Sequence, residues 1–107
     1  MRELNKFQKE FMETLASIQE VCVQGALCQK YEKQSLEDRF YDLTSNVIVD
    51  IMEVIDGYNN SNIGKLNVIC EKTGECLKDE PFIELHDVVC EYLNKKEVYY
   101  GNIFKSN

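Results

Sequence analysis

A three-and-four spacing of apolar residues, sustained over two long segments, constrains this chain more than any other feature. In the first segment Leu4, Phe7, Phe11, Leu15, Ile18, Cys22 and Gly25 follow the period of an α-helix, close to a heptad seam. The spacing predicts a helix over about residues 3–32, with Gly25 the point at which it could break. In the second, Leu36, Phe40, Leu43, Val47, Ile51, Val54, Ile55 and Tyr58 keep the same period and predict a helix over about 36–56. Ser35 and Asp38 resemble a capping box, with Asp in place of the usual Glu or Gln. Gly57 stands where a left-handed residue would close the helix.

The turn formers of "NNSNIGK" end this pattern, and "KLNVIC" alternates like a strand. "EKTGE" then reads as a three-residue hairpin loop with Gly74 in the left-handed position, and "CLK" as a return strand. A small β-hairpin is therefore expected over about 65–78, resting on the helices, because two strands alone are barely stable. Asp79 can cap a third helix, with Pro81 tolerated in its first turn. Phe82, Leu85, Val89 and Leu93 would form its core face over about 80–94. The tail after residue 94 fits either a short helix or a strand. The expected fold is mainly α: three principal helices and one hairpin, in one domain of 107 residues. A chain of that length can bury roughly two thirds of its unfolded surface without metal or disulfide staples.

Charge narrows the partners. Residues 1–34 are neutral, whereas residues 35–91 carry thirteen acids against four bases, a balance of −9. That field disfavours nucleic acid and anionic membranes and favours a basic protein. No run approaches the roughly 18 apolar residues of a membrane span, and the charged start is unlike a signal peptide. The expected compartment is the cytoplasm, where thiols stay reduced.

Five cysteines invite a metal or redox reading. Cys22 and Cys28 lie six apart on a helix, about 240° around its axis, and cannot share one ion. Cys70 and Cys76 would face one another across the expected hairpin, near disulfide range. A zinc site would still need two more ligands, of which the single histidine, His86, could be one. Buried, inert thiols are the simpler reading, so neither a metal nor another cofactor is expected. His86 beside Asp87 is not a catalytic dyad, because adjacent helical residues point about 100° apart. His86 reads as a helix residue at the border of the core. With no G-x-S-x-G, phosphate-binding loop or metalloprotease motif, and nothing that assembles a nucleophile with a base and an oxyanion donor, no catalytic residue is assigned and enzyme activity is not expected.

Glu80, Glu84, Asp87 and Glu91 are the most suggestive group. At about 100° per residue they fall within a sector of roughly 60°, opposite the apolar set of the third helix. No lysine interrupts them between Lys78 and Lys95. Like charges four apart cost a few tenths of a kcal/mol per pair, so the stripe is either a solvated face or a docking surface for a cationic protein. Tyr92, Tyr99 and Tyr100 lie close by in sequence and are suited to anchoring an interface.

In size, acidity and helical organisation the whole chain resembles the bacterial immunity proteins that neutralise cationic nuclease toxins, including those of contact-dependent growth inhibition. The resemblance implies a non-enzymatic inhibitor whose carboxylate stripe and nearby tyrosines cover the basic surface of an RNase or DNase. Two other readings stay open: a homodimer or assembly subunit pairing through the Leu4–Cys22 seam, and a thiol- or metal-responsive regulator built on Cys70 and Cys76.

Overall fold

A computed structural model describes residues 3–29, 34–80 and 82–93, and its regular elements are helices. The first, α1, spans Lys6–Cys28 without a break at Gly25. Asn5 starts it by a capping box: its side chain accepts from the Gln8 amide at 2.8 Å, and the Gln8 side chain accepts from the Asn5 amide at 2.9 Å. These two bonds satisfy donors that the helix cannot, which places the start three residues later than periodicity suggested. Of the expected end near 32, residues 30–32 lie outside the described residues. The second helix, α2, spans Leu36–Asp56. The Ser35 hydroxyl accepts from the Asp38 amide, and Gly57 closes the helix at φ 102°, both as the sequence predicts.

Helix α1 packs on α2, and α2 on the third helix, α3 (Leu85–Cys90). Ile18, Cys22 and Val54 form the buried centre, with Phe11, Leu15, Leu43, Val47, Ile51 and Ile63 packed against it. The seam of α1 thus turns toward α2, except at its start, where Leu4 and Phe7 are exposed. At the other end of the helix pair Leu36 and Phe40 are exposed, so the apolar stripes are longer than the contact they make. The link from α2 to α3 is pinned to the helices by polar bonds. Asn60 donates to the Thr14 hydroxyl at 2.8 Å and to Glu10, and the Leu66 amide donates to the Ile55 carbonyl at 2.8 Å.

Two expectations fail here. Among the described residues there is no strand, and the hairpin over 65–78 is reduced to one antiparallel bridge between Ile69 and Cys76. The Asn67 side chain takes the place of further ladder bonds, accepting from the amides of Lys78 and Val68 and donating to the Lys78 carbonyl. The register also differs. The Cys70 amide bonds the Glu75 carbonyl at 2.7 Å, and Gly74, at φ 80°, donates back to Cys70, so the loop holds four residues. Cys70 therefore opposes Glu75 and Cys76 opposes Ile69. Because extended residues alternate in direction, the two thiols belong to opposite faces. Both are exposed and free.

The third helix is also shorter than the expected 80–94. Asp79 does not cap it, and Phe82 is exposed rather than buried. Its start is set by Asp56 of α2, whose carboxylate accepts from the amides of Leu85 and His86. No described helix is long and apolar enough to cross a membrane.

Gly57 and Gly25 separate the two uses of glycine. A Cβ at Gly57 would lie 2.6 Å from Cγ of Lys65 on a left-handed backbone, whereas at Gly25 it would meet nothing within 4 Å. In urea unfolding Gly57→Ala is expected to lose about 1–3 kcal/mol, and Gly25→Ala to gain about 0.5–1 kcal/mol. Equal effects of the two would refute the assigned backbone.

Candidate functional site

Asp56 occupies the last turn of α2, and its carboxylate is fully buried. A negative charge there opposes the helix macrodipole and has lost its water, so it needs strong partners. It has four. The Leu85 amide donates to Oδ1 at 2.9 Å and the His86 amide to Oδ2 at 3.0 Å. The Lys78 ammonium lies 3.0 Å from Oδ1, and Nδ1 of His86 lies 2.7 Å from Oδ2. One carboxylate thus joins the end of α2, the connecting segment and the start of α3. It also covers amides that a helix start leaves without intrahelical acceptors.

The electrostatics follow from these contacts. Burial pushes the Asp56 carboxyl up, but hydrogen bonds from the His86 and Leu85 amides and the His86 and Lys78 side chains outweigh it and hold it down at about 2. The same bond to Asp56 raises His86 against the opposing effect of its own burial. Around the imidazole, the Tyr58 ring stands edge-on at 5.4 Å and the Tyr58 hydroxyl donates to Oε1 of Glu84 at 3.2 Å. The nearby Glu84 charge pushes the phenol up. Oε2 of Glu84 is buried, accepts no hydrogen bond, and lies 3.9 Å from Nδ1 of His86. Ligand atoms of Asp56, Glu84 and His86 all fall within 4.8 Å of one another.

The sequence singled out four of the carboxylates that lie at or near α3 but not the one that organises it. Glu80 is exposed in the segment before the helix, Glu84 is its N-terminal boundary, Asp87 lies within it and Glu91 at its end. With only six residues helical, the continuous stripe expected over 80–94 does not form; Asp87 and Glu91 remain exposed one helical turn apart, while Glu84 turns to Tyr58 and His86. Tyr92 is exposed, and Tyr99 and Tyr100 lie outside the described residues. His86 is on α3 and only partly exposed, as expected, but Asp56 orients it rather than its neighbour; Asp87 reaches Nε2 at 3.5 Å. A signal for Asp56 was present: an acid in the last turn before the capping glycine, where the helix itself disfavours negative charge.

A second polar contact lies between α1 and α2. The Cys22 thiol donates to Oδ2 of Asp50 at 3.4 Å. Burial, together with Asp50, pushes that thiol up to about 11. The exposed Cys70 is shifted the other way, held below the usual thiol value by hydrogen bonds from the Thr73 side chain and the Thr73 and Lys72 amides.

No family model matches the chain, and neither a curated protein nor a solved structure matches it significantly.

Removing one member of a buried ion pair strands the others, so Asp56→Ala is expected to lose about 3–5 kcal/mol of unfolding free energy. Asp87→Ala, at an exposed carboxylate, should stay within about 0.5 kcal/mol of the parent; a loss below about 1 kcal/mol for Asp56→Ala would deny it the central role. Since the thiolate is the reactive form, alkylation near neutral pH should label Cys70 ahead of Cys22. Peptide mapping reads the order directly, and early labelling of Cys22 in folded protein would contradict its placement.

Proposed function

We propose that this chain is a non-enzymatic protein-binding module that docks a basic protein on the anionic surface at and around α3, in the manner of an immunity protein covering a cationic nuclease. The observation that carries the reading is the combination of exposed carboxylates and exposed aromatics on one short element and its flanks. The Asp87 side chain is 77% exposed, Glu80 and Glu91 are exposed, and Phe82 and Tyr92 are 82% and 74% exposed. Exposed aromatic rings of this size are suited to filling pockets on a partner, and carboxylates beside them select for cationic surfaces and speed encounter. The balance of −9 over residues 35–91 extends that attraction beyond the contact itself. Glu84, held by Tyr58, supports the surface rather than meeting the partner.

The test uses a basic protein, above all a nuclease, encoded beside the gene for this chain. Mixed with the purified chain it should bind in a salt-sensitive manner and lose nuclease activity. The double variant Asp87→Lys, Glu91→Lys should bind at least about tenfold more weakly, equivalent to about 1.4 kcal/mol. Binding that survives both reversals unchanged, or the lack of any basic neighbour that binds, would end the proposal.

A further inference from the structure

We propose that Asp56, Glu84 and His86 form a binding site for one divalent transition-metal ion, with Zn²⁺ the best chemical fit. The three residues supply one imidazole nitrogen and two carboxylates, donors suited to zinc, whose ligands lie about 2.0–2.2 Å from the metal. The observation that points to a ligand, rather than to a self-satisfied ion pair, is Oε2 of Glu84. It is buried, makes no hydrogen bond, and faces the His86 nitrogen at 3.9 Å. A carboxylate oxygen in that position is expected to have a partner, and a cation shared with Nδ1 of His86 and Oδ2 of Asp56 supplies one.

The surroundings match the outer shell of a metal site. Tyr58 donates to Oε1 of Glu84, which turns the other oxygen inward. The backbone amides of Leu85 and His86 fix the Asp56 carboxylate, and Lys78 binds its Oδ1, leaving Oδ2 on the side of the imidazole. Asp87 stands 3.5 Å from Nε2. Metal-bound histidines commonly donate their second N–H to a carboxylate, and Asp87 is the carboxylate beside that nitrogen. Binding therefore has a defined proton balance. The ion takes the Nδ1 lone pair, the ring's remaining proton sits on Nε2 facing Asp87, and a proton is released only if the imidazole was charged beforehand. The 2.7 Å separation of Nδ1 and Oδ2 is that of a hydrogen bond, so the ion replaces that bond and spreads the two atoms to roughly 3.3 Å, the spacing of ligands around a tetrahedral ion. Glu84, with a side chain one-third exposed, moves inward to complete the set. Three protein ligands leave a fourth position open to solvent or to a group from a partner.

The chain has one histidine, so its imidazole signals are unambiguous. The experiment titrates Zn²⁺ into the full chain with the exposed Cys28, Cys70, Cys76 and Cys90 replaced by serine, followed by calorimetry and by ¹⁵N and ¹H NMR of that imidazole. One equivalent should bind, with the nitrogen shifts identifying Nδ1 as the coordinated atom. Glu84→Gln keeps an oxygen for Tyr58 but loses the inward anion, and it should weaken binding at least about tenfold with helicity unchanged. Imidazole signals that do not move with Zn²⁺, coordination through Nε2 alone, or a folded Glu84→Gln variant that binds as tightly as the parent would each overturn the site. If that variant fails to fold, the nitrogen shifts of the unsubstituted site decide the matter.

Discussion

The placement of α3 and of the segment before it depends on one buried negative charge. The Asp56 carboxylate ends α2, receives the first amides of α3, and binds a lysine from the segment between them. Without those partners a carboxylate at this depth would be costly; with them, its desolvation becomes a requirement that three parts of the chain converge. The short α3 illustrates the consequence. Six helical residues are too few to be stable alone, and none of its own side chains caps its N-terminus. It forms where the Asp56 oxygens accept its first donors and Leu85 is buried beside them.

The polar centre works alongside a small apolar one. Ile18, Cys22 and Val54 lie at the middle of the α1–α2 contact, while the ends of both helices carry exposed apolar residues such as Phe7, Leu36 and Phe40. Directional bonds therefore take a large share in fixing the connecting segment: Asn60 holds it to α1, Asn67 closes its excursion, and Lys78 anchors its far end. Such bonds specify geometry more sharply than apolar contact does, since a donor must meet its acceptor within a few tenths of an ångström. The exposed carboxylates around α3 border this framework, with Asp87 3.5 Å from Nε2 of His86. Asp87 and Glu91 are exposed on and just after an element whose position is set by the buried Asp56 carboxylate.

Local rules made parts of this arrangement readable. The apolar period announced α1 and α2, the Ser35 cap and the Gly57 stop were visible in the residues, and both are present. The same rules misplaced the rest. Alternation in "KLNVIC" suggested a strand, but Asn67 satisfies with its side chain the groups a second strand would have paired. Asp79 had the chemistry of a cap, yet an acid twenty-three positions earlier in the chain took that role. His86 was read against its neighbour Asp87, whereas the residue that orients it lies thirty positions away.

What the sequence by itself determined is two long helices, the cap and the stop of the second, and the strong negative balance of the middle of the chain. These follow from backbone geometry and side-chain chemistry that need no distant partner. Only the tertiary structure decided where α3 begins, which cysteines part company, and that Asp56, Glu84 and His86 share one partly buried corner. The reason is physical: a charge removed from water must find its counter-charges in space, and spacing along the chain carries no record of which ones fold within reach.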